Sequence, residues 1–284
     1  MSYVNLRTML AKAAQGKYAV GAFNIVDPMT TEAVVKAAVK KQAPVIIQTS
    51  VKTVQLYGCA TIIANVRALA EQATVPVALH LDHCKDPAII RACIEAGWSS
   101  VMIDASSFPF ETNLRMTKEV VAMAQPRDVS VEGELGAIVG VEDDIHVKEQ
   151  ESHLADYDQA MEYVNTSGVD LFAPAIGTAH GFYIGEPKIA FDLLARIAAA
   201  SPVPIAIHGG TGLSDAVFEQ VIRLGGAKIN ISTQLKQVFK DSLVEYVEHN
   251  PTVNEPVKIL SHMRDKTQQL IESFIDKFGS TGKA

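Results

Sequence analysis

The stretch IAIHGGTGLSDAVFEQVIRLGGAKINI, residues 205–231, carries a whole structural unit. Ile205–His208 is a short apolar run that ends in a histidine and a glycine-rich turn. Ser214-Asp215 supplies a helix start, Ala216–Leu224 reads as the helix, and Gly225-Gly226 stops it. Lys228–Ile231 follows as a second apolar run. Two strands joined through a helix run parallel, because only a long crossover returns the chain to the same end of the sheet. Most runs of this kind along the chain, Ile205–His208 among them, are nearly continuous apolar stretches without alternation, as expected of parallel strands covered on both faces.

Working outward, the same kind of run recurs at Ala19–Ile25, Val45–Thr49, Val77–Leu81, Ser100–Asp104, Ser130–Glu134 and Leu171–Ile176. Asp27-Pro28 ahead of Thr30–Lys41 and Asp86-Pro87 ahead of Ala88–Ala96 repeat the start signal with proline in the first turn, and Gly97 repeats the stop. Eight strands alternating with helices predict an α/β fold, a closed (β/α)8 TIM barrel, with an open doubly wound sheet as the alternative. Gln234–Glu248 and Pro256–Phe278 read as further helices, too short for a core of their own and therefore placed on the barrel's outside. The whole chain, 1–284, is thus read as a single barrel domain with extra C-terminal helices at about 234–278; such barrels typically occupy about 250 residues. The longest break, Gly136 to Ala155, is rich in Glu, Asp and His; it is the loop after strand five, and its length suggests a lid.

Composition narrows the function. A 48% hydrophobic content and a mean hydropathy of +0.14 suit a chain that buries a large core. The net charge of −7, the pI near 5.6 and the lack of a basic block argue against nucleic acid and anionic membranes as partners. Cys59, Cys84 and Cys93 have neither CxxC nor zinc-ribbon spacing and read as reduced thiols. Met1 to Gln15 contains Arg7 and Lys12 and is no signal peptide, and no apolar run approaches the ~20 residues that cross a bilayer. A soluble, cytoplasmic protein is expected.

The chemistry lies in how the strands end. Strand one runs into Asn24, strand three into Asp82-His83, strand four into Asp104 and strand five into Glu134. Gly177-Thr-Ala-His180-Gly181 follows strand six, His208-Gly-Gly-Thr-Gly212 strand seven, and Asn230-Ile-Ser-Thr233 strand eight. In a barrel these ends share one face, and that face holds the active site. One histidine after a strand is commonly structural; histidines at three strand ends, with three carboxylates on the same rim, point to a metal. Three imidazoles leave a fourth position open, the pattern of catalytic rather than structural zinc, and His83, His180 and His208 fit it. His80, two residues before Asp82, is a further inward-facing candidate; His146 and His153 lie on the long loop, His249 and His262 beyond the barrel. The glycine-rich turn at Gly209, Gly210 and Thr211 and the stretch Asn230, Ile231, Ser232 and Thr233 occupy the loops where barrels hold phosphate on bare amides and a helix N-terminus. A Lewis acid beside a phosphate pocket, with carboxylates at hand, suits removal of a proton next to a carbonyl.

These stretches resemble, almost end to end, the class II (zinc-dependent) fructose- and tagatose-bisphosphate aldolases. The resemblance is carried by Tyr18-Ala-Val-Gly-Ala-Phe-Asn24, Leu79-His-Leu-Asp82-His83, Val101-Met-Ile-Asp104-Ala-Ser, Val131-Glu-Gly-Glu134-Leu-Gly136, Gly140-Val-Glu142-Asp-Asp144, Gly177-Thr-Ala-His180-Gly181, His208-Gly-Gly-Thr-Gly212 and Lys228-Ile-Asn230. It implies that Asp82 is the acid/base serving the aldehyde oxygen, that His83, His180 and His208 hold zinc, and that Glu134 and Asp104 form an alternative or second metal position. It implies Glu142 as the base that deprotonates dihydroxyacetone phosphate. Gly181, Gly209 to Thr211 and Asn230 to Thr233 match phosphate-binding stretches, where Na+ or K+ often assists; Asn24 joins the substrate-binding set. A homodimer or homotetramer and a phosphorylated ketose substrate are implied too.

Three departures touch the aldehyde half. Ile184 stands where the family often has Lys, Ser232 where it often has Asp, and Asn254-Glu-Pro-Val257 where many members have Asp-Pro-Arg. Arg264 could take that Arg's place from a neighbouring subunit, against the plainer reading of a solvated helix charge. Gly209-Gly-Thr211 and Ala173-Pro-Ala175 lean to the fructose side, Gly177-Thr-Ala-His180 and Asn230-Ile-Ser-Thr233 to the tagatose side. The alternatives are an aldehyde with a sulfonate or neutral distal group, a metal-dependent sugar-phosphate isomerase, and a non-catalytic sugar-phosphate-binding protein.

Overall fold

Val20–Asn24, Val45–Thr49, Val77–Cys84, Ser100–Ile103, Ser130–Leu135, Leu171–Pro174, Ile205–Ile207 and Gly226–Ile231 pair in chain order and close into a parallel barrel, the last strand joining the first through Val20↔Lys228 and Ala22↔Asn230. The structure, a computed structural model, describes residues 2–142, 145–147, 153–183 and 185–284, and of 139, 141–142 and 145–147 the backbone alone. The side chains of Glu142 and His146, and Asp144 and Ile184 altogether, lie outside the described residues.

Alternate side chains of a strand point to opposite faces, and the core divides accordingly. Val20, Ala22, Ile46, Ala78, Leu171, Ala173, Ala206 and Ala227 form an inner cluster. Phe23, Ile47, Leu79, Val101, Val131, Phe172, Ile207 and Ile229 face outward and pack under the helices. The N-terminal segment, a mixed amphipathic stretch in sequence, is a helix over Leu6–Gly16 that adds Leu6, Met9, Leu10 and Ala13 to the inner cluster. The Leu6 amide donates to Ser130 Oγ at 3.0 Å and the Val4 amide to the Val77 carbonyl at 3.0 Å, both at strand starts. This helix therefore closes the barrel floor, leaving the opposite mouth open.

Strand ends shift slightly from expectation: strand three continues to Cys84, while strands four and seven stop at Ile103 and Ile207. The C-terminal helices, Thr233–His249 and Pro256–Lys277, lie outside as expected; Phe274 of the longer one and Phe278 just past its end meet Phe218 edge to face. The long break after strand five is not a plain loop. Val139–Glu142 pairs antiparallel with Ile145–Val147 and parallel with Ala179–His180. Cys59, Cys84 and Cys93 are free thiols, and no helix among the described residues is long and apolar enough to cross a membrane.

Candidate active site

At the end of strand three a break in regular backbone does the positioning. Pairing with strand four shifts register between Leu81 and Cys84, and His83 has φ 44°, a left-handed conformation rare for a residue with a Cβ. In a regular strand Asp82 and His83 would face opposite ways; the break places both at the barrel mouth. Asp82 Oδ2 accepts from Asn24 Nδ2 at 3.0 Å and Gln48 Nε2 at 3.2 Å, and its Oδ1 from Asn230 Nδ2 at 3.2 Å. Gln48 Nε2 also donates to Asn24 Oδ1 at 2.6 Å. Burial pushes the Asp82 carboxyl up, but the charges of His83, Lys228 and His208 outweigh it and hold the group below its usual range. Asp82 is thus a buried, ionised acceptor gripped by amides from three strands.

Next to it, His83, His180 and His208 converge. Ring centroids are 5.0 Å apart for His83–His180 and 4.6 Å for His83–His208, and one nitrogen of each lies within 4.8 Å of the others. Nδ1 of His83 meets Asp104 Oδ2 at 3.0 Å, and Asp104 Oδ1 accepts from the Ser106 amide at 3.2 Å and hydroxyl at 2.7 Å. Nε2 of His83 stays buried with no hydrogen-bond partner among the described residues. His208 Nε2 meets Glu132 Oε1 at 2.7 Å, while its Nδ1 lies 3.2 Å from Glu134 Oε2. His180 is delivered by the two-residue strand Ala179–His180 that pairs with Val139 and Gly140.

The charges say what such a cluster can hold. Asp82, Asp104, Glu132 and Glu134 are all buried, and Lys228 is the one buried lysine among the described residues. Burial pulls His83 and His208 down, yet Asp82 and Asp104 hold His83 well above its ordinary value, and Glu132 and Glu134 hold His208 at about 9. Burial and the positive neighbours His83 and His208 push His180 well below. A dipositive ion among these nitrogens would supply the charge that two protonated imidazoles supply without it. The donor set therefore fits zinc at His83, His180 and His208; His83, Asp104 and Glu134 also lie close enough to form a second group.

The glycine-rich turn after strand seven lies beside strand eight, the Gly210 amide donating to the Asn230 carbonyl at 3.2 Å. Gly209 has φ +69°, and a Cβ on Gly210 would stand 2.7 Å from the Asn230 carbonyl, so backbone rather than side chain lines this turn. Tyr183 ties it to the preceding loop: its hydroxyl accepts from the Ala179 amide at 3.0 Å and donates to the Gly209 carbonyl at 2.8 Å. Ser232 Oγ is buried with no hydrogen-bond partner among the described residues and caps no amide of the Thr233–His249 helix that begins beside it. Thr211 is buried, whereas Ile231 turns its side chain into the outer core and can serve only through its backbone. Gly181, at φ +92°, follows His180 directly.

A model of the class-II fructose-bisphosphate aldolases matches residues 4–283. A fructose-bisphosphate aldolase from Geobacillus stearothermophilus is 41% identical, with 100% of this chain and 99% of the relative covered. The chain belongs to the class II fructose-bisphosphate aldolase family. Two other relatives are each 38% identical: the D-tagatose-1,6-bisphosphate aldolase subunit GatY of Klebsiella oxytoca, with both chains covered at 100%, and a 6-phospho-5-dehydro-2-deoxy-D-gluconate aldolase of Shouchella clausii, covering 100% of this chain and 97% of the relative.

Within this aldolase the structure brings Asn24, Asp82, His83, Asp104, Glu134, His180, His208 and Asn230 together; of Glu142 it gives only the backbone, on the strand paired to Ala179–His180. His80 lies deeper, Nδ1 on Ser100 Oγ at 2.8 Å, and burial takes it down to about 3. Arg264 is tied within its own chain, Nη2 to Asp265 at 2.9 Å and Nη1 to Glu32 at 3.6 Å. Gln48, Glu132, Lys228 and Tyr183 were not expected at the site. Gln48 stands one residue before the end of strand two, in register with Asn24 at the end of strand one. Glu132 and Lys228 stand two residues before Glu134 and Asn230, on the same strand face.

Proposed function

We propose that this class II aldolase is zinc-dependent and reversibly cleaves the C3–C4 bond of a ketose 1,6-bisphosphate of fructose or tagatose type, giving dihydroxyacetone phosphate and an aldehyde such as glyceraldehyde 3-phosphate. The observation that carries this is the convergence of nitrogens from His83, His180 and His208 within 4.8 Å beside the amide-held Asp82. Zinc, when bound, supplies a Lewis acid that polarises the ketone carbonyl and lowers the cost of negative charge on the adjacent carbon. In cleavage Asp82 takes the proton of the C4 hydroxyl, C4 becomes the aldehyde carbon, and the electron pair of the broken bond stays on C3. Glu142 then protonates C3; in synthesis it removes that proton. Asn24, Gln48 and Asn230 aim Asp82 for the first step, and the charges of His83, Lys228 and His208 keep it ionised. The phosphate of the three-carbon half sits against the backbone of Gly181, Gly209 to Thr211 and Asn230 to Thr233, with the Ser232 hydroxyl as an added donor.

One reading differs only at the far end of the substrate. No arginine stands at Asn254-Glu-Pro-Val257, Arg264 is engaged by Glu32 and Asp265, and the Shouchella clausii relative is named for a gluconate-type phosphate. These support an aldehyde whose distal group is other than phosphate. A panel decides: purified protein, dihydroxyacetone phosphate, and glyceraldehyde 3-phosphate against sulfonated, carboxylated and neutral aldehydes, with C4 configuration determined. A preference for glyceraldehyde 3-phosphate of several orders of magnitude supports the bisphosphate reading; comparable or better rates with the others support the second; no adduct with any sinks both. A Na+ or K+ ion beside the phosphate, a homodimer or homotetramer, a cytoplasmic location and a single barrel domain over 1–284 belong to the same proposal and are supported by the family alone.

A further inference from the structure

Below the mouth lies an ion pair that these steps do not use. Glu132 and Lys228 are fully buried inside the barrel, with Lys228 Nζ 2.9 Å from Glu132 Oε2. The same carboxylate meets His208 Nε2 at 2.7 Å through Oε1, and its Oε2 stands 3.3 Å from His80 Nε2. Lys228 also donates to Asn230 Oδ1 at 2.8 Å, and Asn230 Nδ2 donates to Asp82 Oδ1 at 3.2 Å. These contacts restrict their neighbours. An ionised carboxylate only accepts, so the hydrogen of His208 belongs on Nε2 and the lone pair on Nδ1, toward Glu134 and the other imidazoles. An ammonium only donates, so the Asn230 amide must present its oxygen to Lys228 and its nitrogen to Asp82. A buried ion pair is costly to desolvate, and apolar residues of similar volume often serve stability as well or better. Here both partners spend their remaining hydrogen bonds on residues the chemistry needs.

We propose that Glu132 and Lys228 act together as positioning residues: Glu132 fixes His208 as a ligand through Nδ1, and Lys228 aims Asn230 at Asp82. The proposal rests on the reading of His208 as a metal ligand. It joins the metal site and the acid/base through one chain of contacts, His208–Glu132–Lys228–Asn230–Asp82.

The test is zinc affinity of the full-length protein, measured by competition with a chromophoric chelator. Both charges are removed together, so that neither is left buried alone. E132L/K228M should bind zinc about 10- to 100-fold more weakly than the parent, the usual effect of losing a partner behind a ligand. E132Q/K228M, which returns a neutral acceptor to His208, should recover most of that loss. Phe172→Leu, a core truncation that touches neither residue, should lower thermal stability and leave zinc affinity unchanged. The zinc-loaded parent gives a test that needs no variant: its ¹⁵N-histidine spectrum should show His208 carrying hydrogen on Nε2, and hydrogen on Nδ1 would overturn the proposal. A folded E132L/K228M with parental affinity would overturn it as well, leaving the metal reading intact. A parent that binds no zinc would overturn the metal reading, and this proposal with it.

Discussion

Asp82 has to be ionised, buried and aimed at once: the positive charges of His83, Lys228 and His208 keep it ionised, and three side-chain amides aim it. Asp82→Ala is expected to keep zinc and to lose cleavage by roughly 10²-fold or more, the usual range for a positioned acid/base, as read from steady-state cleavage beside metal content. Glu142→Ala should instead slow exchange of the C3 proton of dihydroxyacetone phosphate with solvent; parental exchange would move the base elsewhere. The residues at strand ends were legible because the barrel rule names them in advance: Asp82, His83, Asp104, Glu134, His208 and Asn230 were all reached that way. Glu132 and Lys228 were not, since both sit inside runs read as buried strand. A charge within such a run is itself the signal, because a charge is buried only where something pairs it. Gln48 stands one residue inside the end of strand two, where the rule does not name it; its register with Asn24 brings it to Asp82.

Among the elements, the pairing of Val139–Glu142 with Ala179–His180 is the one that matters most to the site. Gly140, at φ +115°, packs against the His180 backbone so closely that a Cβ would overlap the His180 carbonyl. Gly140→Ala is therefore expected to push the His180 backbone aside and to reduce zinc affinity and activity together, while the eight-stranded barrel stays folded by circular dichroism. Unchanged zinc stoichiometry and affinity would show that His180 is held by something else. This hairpin left a trace in the sequence, the alternation of Val139, Val141, Ile145 and Val147, but an acidic loop surrounds it and its partner is a strand of two residues set by the fold rather than by local propensity. The turn at His83 was hidden, because nothing in Leu-Asp-His-Cys announces a positive φ. By contrast Asp27, Asp86 and Ser214 cap their helices as read, accepting from Thr30, Ala88 and Val217 amides.

Over the whole molecule, the site concentrates negative charge in a barrel whose floor is sealed by Leu6–Gly16. Without metal, His83 and His208 hold protons that offset this charge, and stability follows from their shifts. The His208 value of about 9 in the folded state exceeds its ordinary value of 6.5, so its contribution is complete below 6.5 and lost as pH rises through about 9; His83 acts in the same direction. Glu132 and Asp104 lie below their ordinary values, against burial, through Lys228 and His83, so their contribution is present above the carboxylate range and lost on acidification. Metal-free protein should accordingly melt at falling temperature from pH 6.5 to 9.5, whereas zinc-loaded protein, whose imidazoles are already deprotonated, should show no such fall. Zinc at a hundredfold excess over its Kd adds about 2.7 kcal/mol, a shift of several degrees at pH 7. Metal-stripped protein given fructose or tagatose 1,6-bisphosphate tests most directly whether this aldolase works through a metal held by His83, His180 and His208. Release of dihydroxyacetone phosphate should cease on stripping and return with one equivalent of zinc per chain; undiminished release from protein shown to be metal-free would contradict the account.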